Sequence, residues 1–124
     1  MKEKIEIEVV LQITPKLLYK LLSTEEGLSK WFADKVLIKN NEIEFYWAKD
    51  KHEAIIIAQK ENKFFKFSWK DDTDYFVEFS ILPTEQNNLS VLKITDFANN
   101  EDKETTLLLW NKNIKQLKQS IGLS

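Results

Sequence analysis

The sequence predicts an α+β fold: an antiparallel sheet of about six or seven strands wrapped around a long C-terminal helix, with two short helices after the first strand. Two patterns carry this expectation. Between Asn99 and Gly122, the residues Leu107, Trp110, Ile114, Leu117 and Ile121 recur in steps of three and four, which sets them on one face of a helix. Lys112, Lys115 and Lys118 fall mostly away from that stripe. Upstream, apolar and polar residues alternate at period two, first over Ile5–Ile13 and again in several runs between Asp34 and Phe97. Burying large apolar side chains along the helix is worth roughly 1.5–3 kcal/mol each as an upper bound. That helix therefore needs a partner surface, and the strands supply it.

In chain order, Ile5, Ile7, Val9, Leu11 and Ile13 alternate with Lys4, Glu6, Glu8, Val10 and Gln12, the period of a strand with one core face and one solvent face. Thr14-Pro15 supplies a helix cap and a first-turn proline, and Leu17, Leu18, Leu21 and Leu22 form a short apolar helix face. Ser23 and Glu26 have capping-box spacing and start a second short helix carrying Leu28, Trp31 and Phe32. Then come strands and turns: Val36 and Ile38, the Asn40-Asn41 turn, Ile43, Phe45 and Trp47, then Ala54, Ile56 and Ala58 alternating with Ile55 and Ile57. Phe65, Phe67 and Trp69 line the next strand, Asp71, Asp72 and Asp74 mark its turn, and Val77, Phe79 and Ile81 continue the sheet. Pro83 closes that strand, Asn87-Asn88 turn the chain, and Leu92 and Ile94 lead to Asp96-Phe97. Asn99 or Asn100 can cap the last helix, Glu101 and Asp102 suit its positive end, and Gly122 can close it in a left-handed conformation.

With 124 residues and 43% hydrophobic content, a single domain over 1–124 is expected, large enough for a proper core. Cysteine is absent, which excludes disulfides, thiolate metal sites and a cysteine nucleophile. The start, MKEKIEIEVV, lacks the uninterrupted apolar core of a secretory signal, and no run reaches membrane-spanning length, so a soluble cytoplasmic protein is the expectation. The net charge is −2 and every one of the 18 basic residues is lysine. Without arginine there is no planar fork to grip a phosphate or guanine in two places, and sequence-specific nucleic-acid binding is not expected. Gly27 and Gly122 are the only glycines, too few for a phosphate-cradling loop.

Candidate chemistry is sparse. His52 is the only histidine; Glu44 or Glu53 could orient it as a base, but no nucleophile pairs with it, and Lys49-Asp50-Lys51 reads as an exposed turn. Asp71-Asp72-Thr73-Asp74 lacks the glycine and distal glutamate of a calcium loop and reads as a solvated hairpin turn, so no metal site is expected. Phe64-Phe65-Lys66-Phe67-Ser68-Trp69 interleaves lysine with aromatics as RNA-stacking strands do, but the glycines of that motif are missing and the balance of charge is acidic. Trp31 and Trp110 read as anchors holding the helices to the sheet. Asp96 stands two residues after Ile94 on the same strand face, so it points inward if Ile94 does, where a carboxylate must be hydrogen-bonded or shift its pKa upward.

The order strand, helix pair, antiparallel meander, terminal helix resembles that of helix-grip domains. Leu22-Ser23-Thr24-Glu25-Glu26-Gly27-Leu28-Ser29-Lys30-Trp31-Phe32-Ala33-Asp34-Lys35-Val36 resembles the signature of small bacterial START-like proteins of the SRPBCC superfamily. Phe45-Tyr46-Trp47, Phe67-Ser68-Trp69, Tyr75-Phe76-Val77-Glu78-Phe79, Ile94-Thr95-Asp96-Phe97-Ala98 and Leu109-Trp110 with Ile114 and Leu117 resemble its later blocks, so nearly the whole chain is covered. The family is similar to the domain that activates the ninety-kilodalton heat-shock-protein ATPase, and more distantly to polyketide cyclases, lipid-transfer domains and plant hormone receptors. The resemblance implies a curved sheet gripping the last helix, with an apolar cavity between them in many members. It brings no catalytic motif and no cofactor.

Cavity candidates are the inward strand residues and the facing helix: Phe45, Trp47, Ala54, Ile56, Ala58, Phe67, Trp69, Phe79, Leu92, Ile94, Asp96, Trp110 and Ile114. The expected function is a non-catalytic binding module for a hydrophobic or amphipathic small molecule. The alternative is a protein-interaction or chaperone-assisting module with a protein partner. A cyclase-like or hydrolase-like enzyme would need two convergent polar side chains, and only Asp96 can be nominated, with Tyr46 or His52 as companions.

Overall fold

The alternating runs become one seven-stranded antiparallel sheet in the order β1-β7-β6-β5-β4-β3-β2. The structure, a computed structural model, describes residues 1–122. Its elements are β1 (Glu3–Leu11), α1 (Pro15–Ser23), α2 (Glu25–Trp31), β2 (Lys35–Lys39), β3 (Glu42–Trp47), β4 (Asp50–Lys60), β5 (Phe64–Trp69), β6 (Val77–Leu82), β7 (Ser90–Ala98) and α3 (Lys103–Ser120). The sheet curves, and its concave face grips α3 together with α1 and α2, in the α+β helix-grip arrangement.

Register keeps the apolar set on that face. Ile5 pairs with Asp96, Ile7 with Ile94 and Val9 with Leu92, while Ile94 and Leu92 meet Phe79 and Ile81 on the other side. On the outer face, charged residues pair across neighbouring strands, as where Lys93 Nζ lies 2.9 Å from Glu6. Both sheet edges are blunted against pairing with another chain. β1 presents the charged residues Glu3, Lys4, Glu6 and Glu8, and the Glu25 carboxylate accepts the Ile38 amide of β2 at 2.7 Å. β4 is apolar on both faces as read; Ala54 and Ile56 are buried while Ile55 and Ile57 stay exposed, and a register shift separates Ile56 from Ala58.

The helix ends follow local chemistry, with two corrections. Thr14 caps α1 by accepting the Leu17 amide at 3.2 Å, and Pro15 opens it. The second helix is capped by Thr24, which accepts the Gly27 amide at 3.0 Å, one residue later than the expected Ser23–Glu26 box. The reason is that α1 runs through Ser23, whose hydroxyl donates to the Tyr19 carbonyl at 2.7 Å. The long helix begins at Lys103 after a 3₁₀ turn at Asn100–Asp102, and neither Asn99 nor Asp102 provides a side-chain cap. Of its expected stripe, Trp110, Ile114 and Leu117 are buried, Ile121 packs against the core and Leu107 is half-buried. Gly122 takes the closing left-handed conformation at φ 84°.

Gly27 marks where α1 and α2 touch. A β-carbon there would lie 2.6 Å from the Leu21 Cα and closer still to the Lys20 carbonyl oxygen, both backbone atoms that cannot step aside. Gly27→Ala is expected to cost about 1–3 kcal/mol through overpacking, despite alanine's better helix propensity. Urea denaturation checks this; an unchanged or raised stability would mean the helix pair is looser than described.

Candidate functional site

The site grows from the turn that ends α2. After Trp31 the chain leaves the helix with Phe32 still in the helical region, which drives the Phe32 ring into the space between sheet and α3. There it stacks on Trp110 at 5.5 Å with planes 16° apart, and meets Phe45 edge-on at 5.0 Å, Trp47 at 5.4 Å and Phe79 at 5.9 Å. Above this plug a groove of about 830 Å³ stays open. One side is the end of α2 with Phe32, Ala33 and Asp34. The other is the α3 face of Thr106, Leu109, Trp110, Asn113 and Gln116. The ends of the strands close it with Trp47, Trp69, Val77 and Asp96. All four tryptophans of the chain, Trp31, Trp47, Trp69 and Trp110, line this one groove.

Hydrogen bonds fix three of those indoles. Trp31 Nε1 donates to the Leu21 carbonyl at 2.8 Å, Trp47 Nε1 to the Phe32 carbonyl at 2.9 Å, and Trp110 Nε1 to Asp96 Oδ2 at 2.9 Å. Each bond satisfies a polar tip that would otherwise be costly to bury. Asp96 Oδ1 accepts the Phe97 amide at 2.7 Å. Burial nevertheless raises the Asp96 pKa above the ordinary carboxylate value, outweighing the lowering by the Trp110 and Phe97 donors and by the Lys2 charge.

The sign of the resulting pH effect follows from proton counting. A carboxyl that titrates higher when folded binds more protons in the native state, so stability rises as pH falls from that raised value towards about 3.9, its ordinary value. The burial cost is present at neutral pH and gone below the unfolded value. The stability of the parent relative to Asp96→Asn should therefore improve between about pH 7 and about pH 4 in parallel urea titrations. A flat difference would mean that the carboxyl is not desolvated.

Of the thirteen cavity candidates named from the sequence, Trp47, Trp69, Asp96 and Trp110 come together in the groove. Phe45, Phe67 and Phe79 do not form an open wall: they have no exposed surface, because Phe32 covers them. Ala54, Ile56, Leu92, Ile94 and Ile114 are buried in the core, and Ala58 lies half-buried beyond the register shift in β4. Tyr46 and His52 are not brought to Asp96. The Tyr46 hydroxyl donates to Glu44 at 2.9 Å, and His52 is an exposed strand residue of β4 rather than a turn residue, edge-on to Trp47 at 5.3 Å. Sequence reasoning missed Trp31, Phe32, Asp34, Thr106, Asn113 and Gln116 as groove residues. The first three stand in the stretch around Trp31 that carries the family resemblance.

Two other depressions are chemically blander. One of about 900 Å³ between α1, α2 and the end of α3 is lined by Ile13, Leu17, Leu21 and Ile121. Its threonines, Thr14 and Thr24, are spent as helix caps, and Glu26 is solvated and lies 3.7 Å from Lys30. The other, of about 580 Å³, is a charged cleft around His52 whose Lys2 and Lys70 already pair with Asp72 and Glu42.

The model of the START-like superfamily domain matches residues 1–123. The chain belongs to the START-like superfamily. Among solved structures, this START-like chain is similar to BfR322 from Bacteroides fragilis, at 31% identity over 99% of this chain and 93% of that one, with a TM-score of 0.67. It is also similar to the Aha1 dimer from Colwellia psychrerythraea, at 16% identity over 95% of both chains, with a TM-score of 0.80. An uncharacterized protein from Bacillus thuringiensis is 9% identical over 95% of this chain and 98% of its own, with a TM-score of 0.81. The last two likenesses are of START-like fold alone. No curated protein matches the sequence. Among the described residues, no helix of this START-like domain is long and apolar enough to cross a membrane.

Proposed function

We propose that the protein is a non-catalytic binding module whose tryptophan-lined groove takes a hydrophobic or amphipathic small molecule. The observation that carries this reading is the convergence of all four tryptophans, from α2, β3, β5 and α3, on one opening of about 830 Å³. Tryptophan is large, and a core needing only volume has no reason to gather every copy at one partly open rim. The volume lies within the roughly 300–1,000 Å³ of small-molecule sites, and a few polar groups among apolar walls orient a ligand. Binding without turnover is favoured by the carboxylates of the groove and its Ser29 hydroxyl being held by the chain's own backbone and indole groups rather than paired with one another as acid and base. Asp96 accepts from Trp110 and Phe97, Asp34 accepts the Ala48 amide at 2.6 Å, and the Ser29 hydroxyl donates to the Glu26 carbonyl at 2.8 Å.

The test uses uncharged probes, 1-decanol and 2-naphthol, titrated while tryptophan emission is followed. Saturable binding that Asn113→Phe removes and Ala58→Trp leaves intact supports the reading, since Asn113 lines the groove and Ala58 does not. No saturable change with either probe overturns it. A protein-interaction role is the second reading, and what favours it is the pair Leu108 and Leu109, 64% and 58% exposed side by side on α3. Stoichiometric capture of one partner, lost in Leu108→Lys and indifferent to Asn113→Phe, would promote it.

A further inference from the structure

We propose, resting on the groove reading above, that the preferred ligand carries a cationic nitrogen, a protonated amine or a quaternary ammonium, seated among the tryptophans beside Asp96. The argument begins with charge. Asp96 is a half-buried carboxylate on the groove wall whose two oxygens each take one N–H donor, from Phe97 and Trp110. Neither donor carries a formal charge, and among the described residues no lysine forms an ion pair with it. Lys2, the lysine that acts on it electrostatically, is engaged by Asp72.

The walls point the same way. The faces of indole rings are electron-rich, and tryptophan is the best of the side chains at attracting a cation. Trp31 and Trp110 are buried, Trp110 face to face with Phe32, so the rings open to a cation are those of the half-buried Trp47 and Trp69. Among the described residues, the lysine–ring contacts fall on Tyr75, Tyr46 and Phe76 and leave both free of lysine. Lys30 and Lys112 also border the groove, but both are exposed, and Lys30 lies 3.7 Å from Glu26. Their charges act through water and salt, whereas Asp96 acts across a partly desolvated space where the same charge counts for more. An ammonium with an apolar tail satisfies both the carboxylate and the ring faces; a carboxylate in its place meets repulsion from both.

Three probes of equal chain length separate these terms: decyltrimethylammonium, 1-decanol and decanoate, titrated below micelle formation with tryptophan emission as readout. Only the saturable component that Asn113→Phe removes is counted. The expected result is that the ammonium binds at least about tenfold tighter than decanoate, with the alcohol between them. In Asp96→Asn that ratio should fall at least about threefold. The comparison of probes on the parent protein decides the matter even where the variant folds poorly. Equal binding of all three overturns the cation preference and leaves the groove reading standing. Tighter binding of decanoate, or a ratio that Asp96→Asn does not change, overturns it as well. No saturable binding by any probe overturns both.

Discussion

Trp110→Ala is expected to lose about 3–5 kcal/mol of unfolding free energy, the range for removing a large buried aromatic and leaving a cavity. Trp110 is 5% exposed, stacks on Phe32, meets Phe79 at 5.9 Å and donates to Asp96. Trp110→Phe separates these contributions. It keeps a ring in the stack but takes away the indole N–H, leaving Asp96 short of one donor at a cost of about 1–3 kcal/mol. Chemical denaturation of the two variants should rank them in that order, and a loss below about 1 kcal/mol for alanine would mean that α3 is not gripped as described.

Phe32→Ala should be comparably severe, at about 3–5 kcal/mol, although Phe32 belongs to no regular element beyond capping α2. Its ring is the plug that joins α2, α3 and three strands, through Trp110, Phe45, Trp47, Phe67 and Phe79. Because Phe32 and Trp110 share one stack, their losses should not add. A double-mutant cycle in denaturant should show a coupling of about 0.5–3 kcal/mol, and strict additivity would contradict the packing. Removing the plug also deepens the groove towards Phe45 and Phe79, so whatever folded Phe32→Ala remains should accept bulkier uncharged probes than the parent.

The fold was legible where one periodicity dominated. The step of three and four through Trp110, Ile114 and Leu117 named the buried face of α3, and period two from Leu92 through Ile94 placed Asp96 on the inner side of β7. Helix ends were legible only to within a residue where cap-type side chains adjoin, as Ser23 and Thr24 do, because tertiary contact decides how far α1 runs. The groove was half legible. Trp47 and Trp69 could be found by alternation, but whether Phe45, Phe67 and Phe79 wall a cavity or underlie a plug depends on where the turn after α2 sends Phe32. That is set by the geometry of three elements, and no local pattern encodes it. Trp31 read as an anchor of helix to sheet; its ring meets Phe79 of β6 at 5.3 Å while its indole N–H bonds to Leu21 of α1, and its edge on the groove emerged only in three dimensions.

The four tryptophans also furnish the most direct measurement of the central claim, since their indole N–H groups give separate signals in a ¹H–¹⁵N correlation spectrum. Titration with 1-decanol should shift the Trp47, Trp69 and Trp110 indole signals together along one saturation curve, and Asn113→Phe should abolish the response. Indole signals that stay fixed, or saturable shifts confined to backbone amides of Ile13, Leu17 and Leu21 at the depression beside α1, would contradict it.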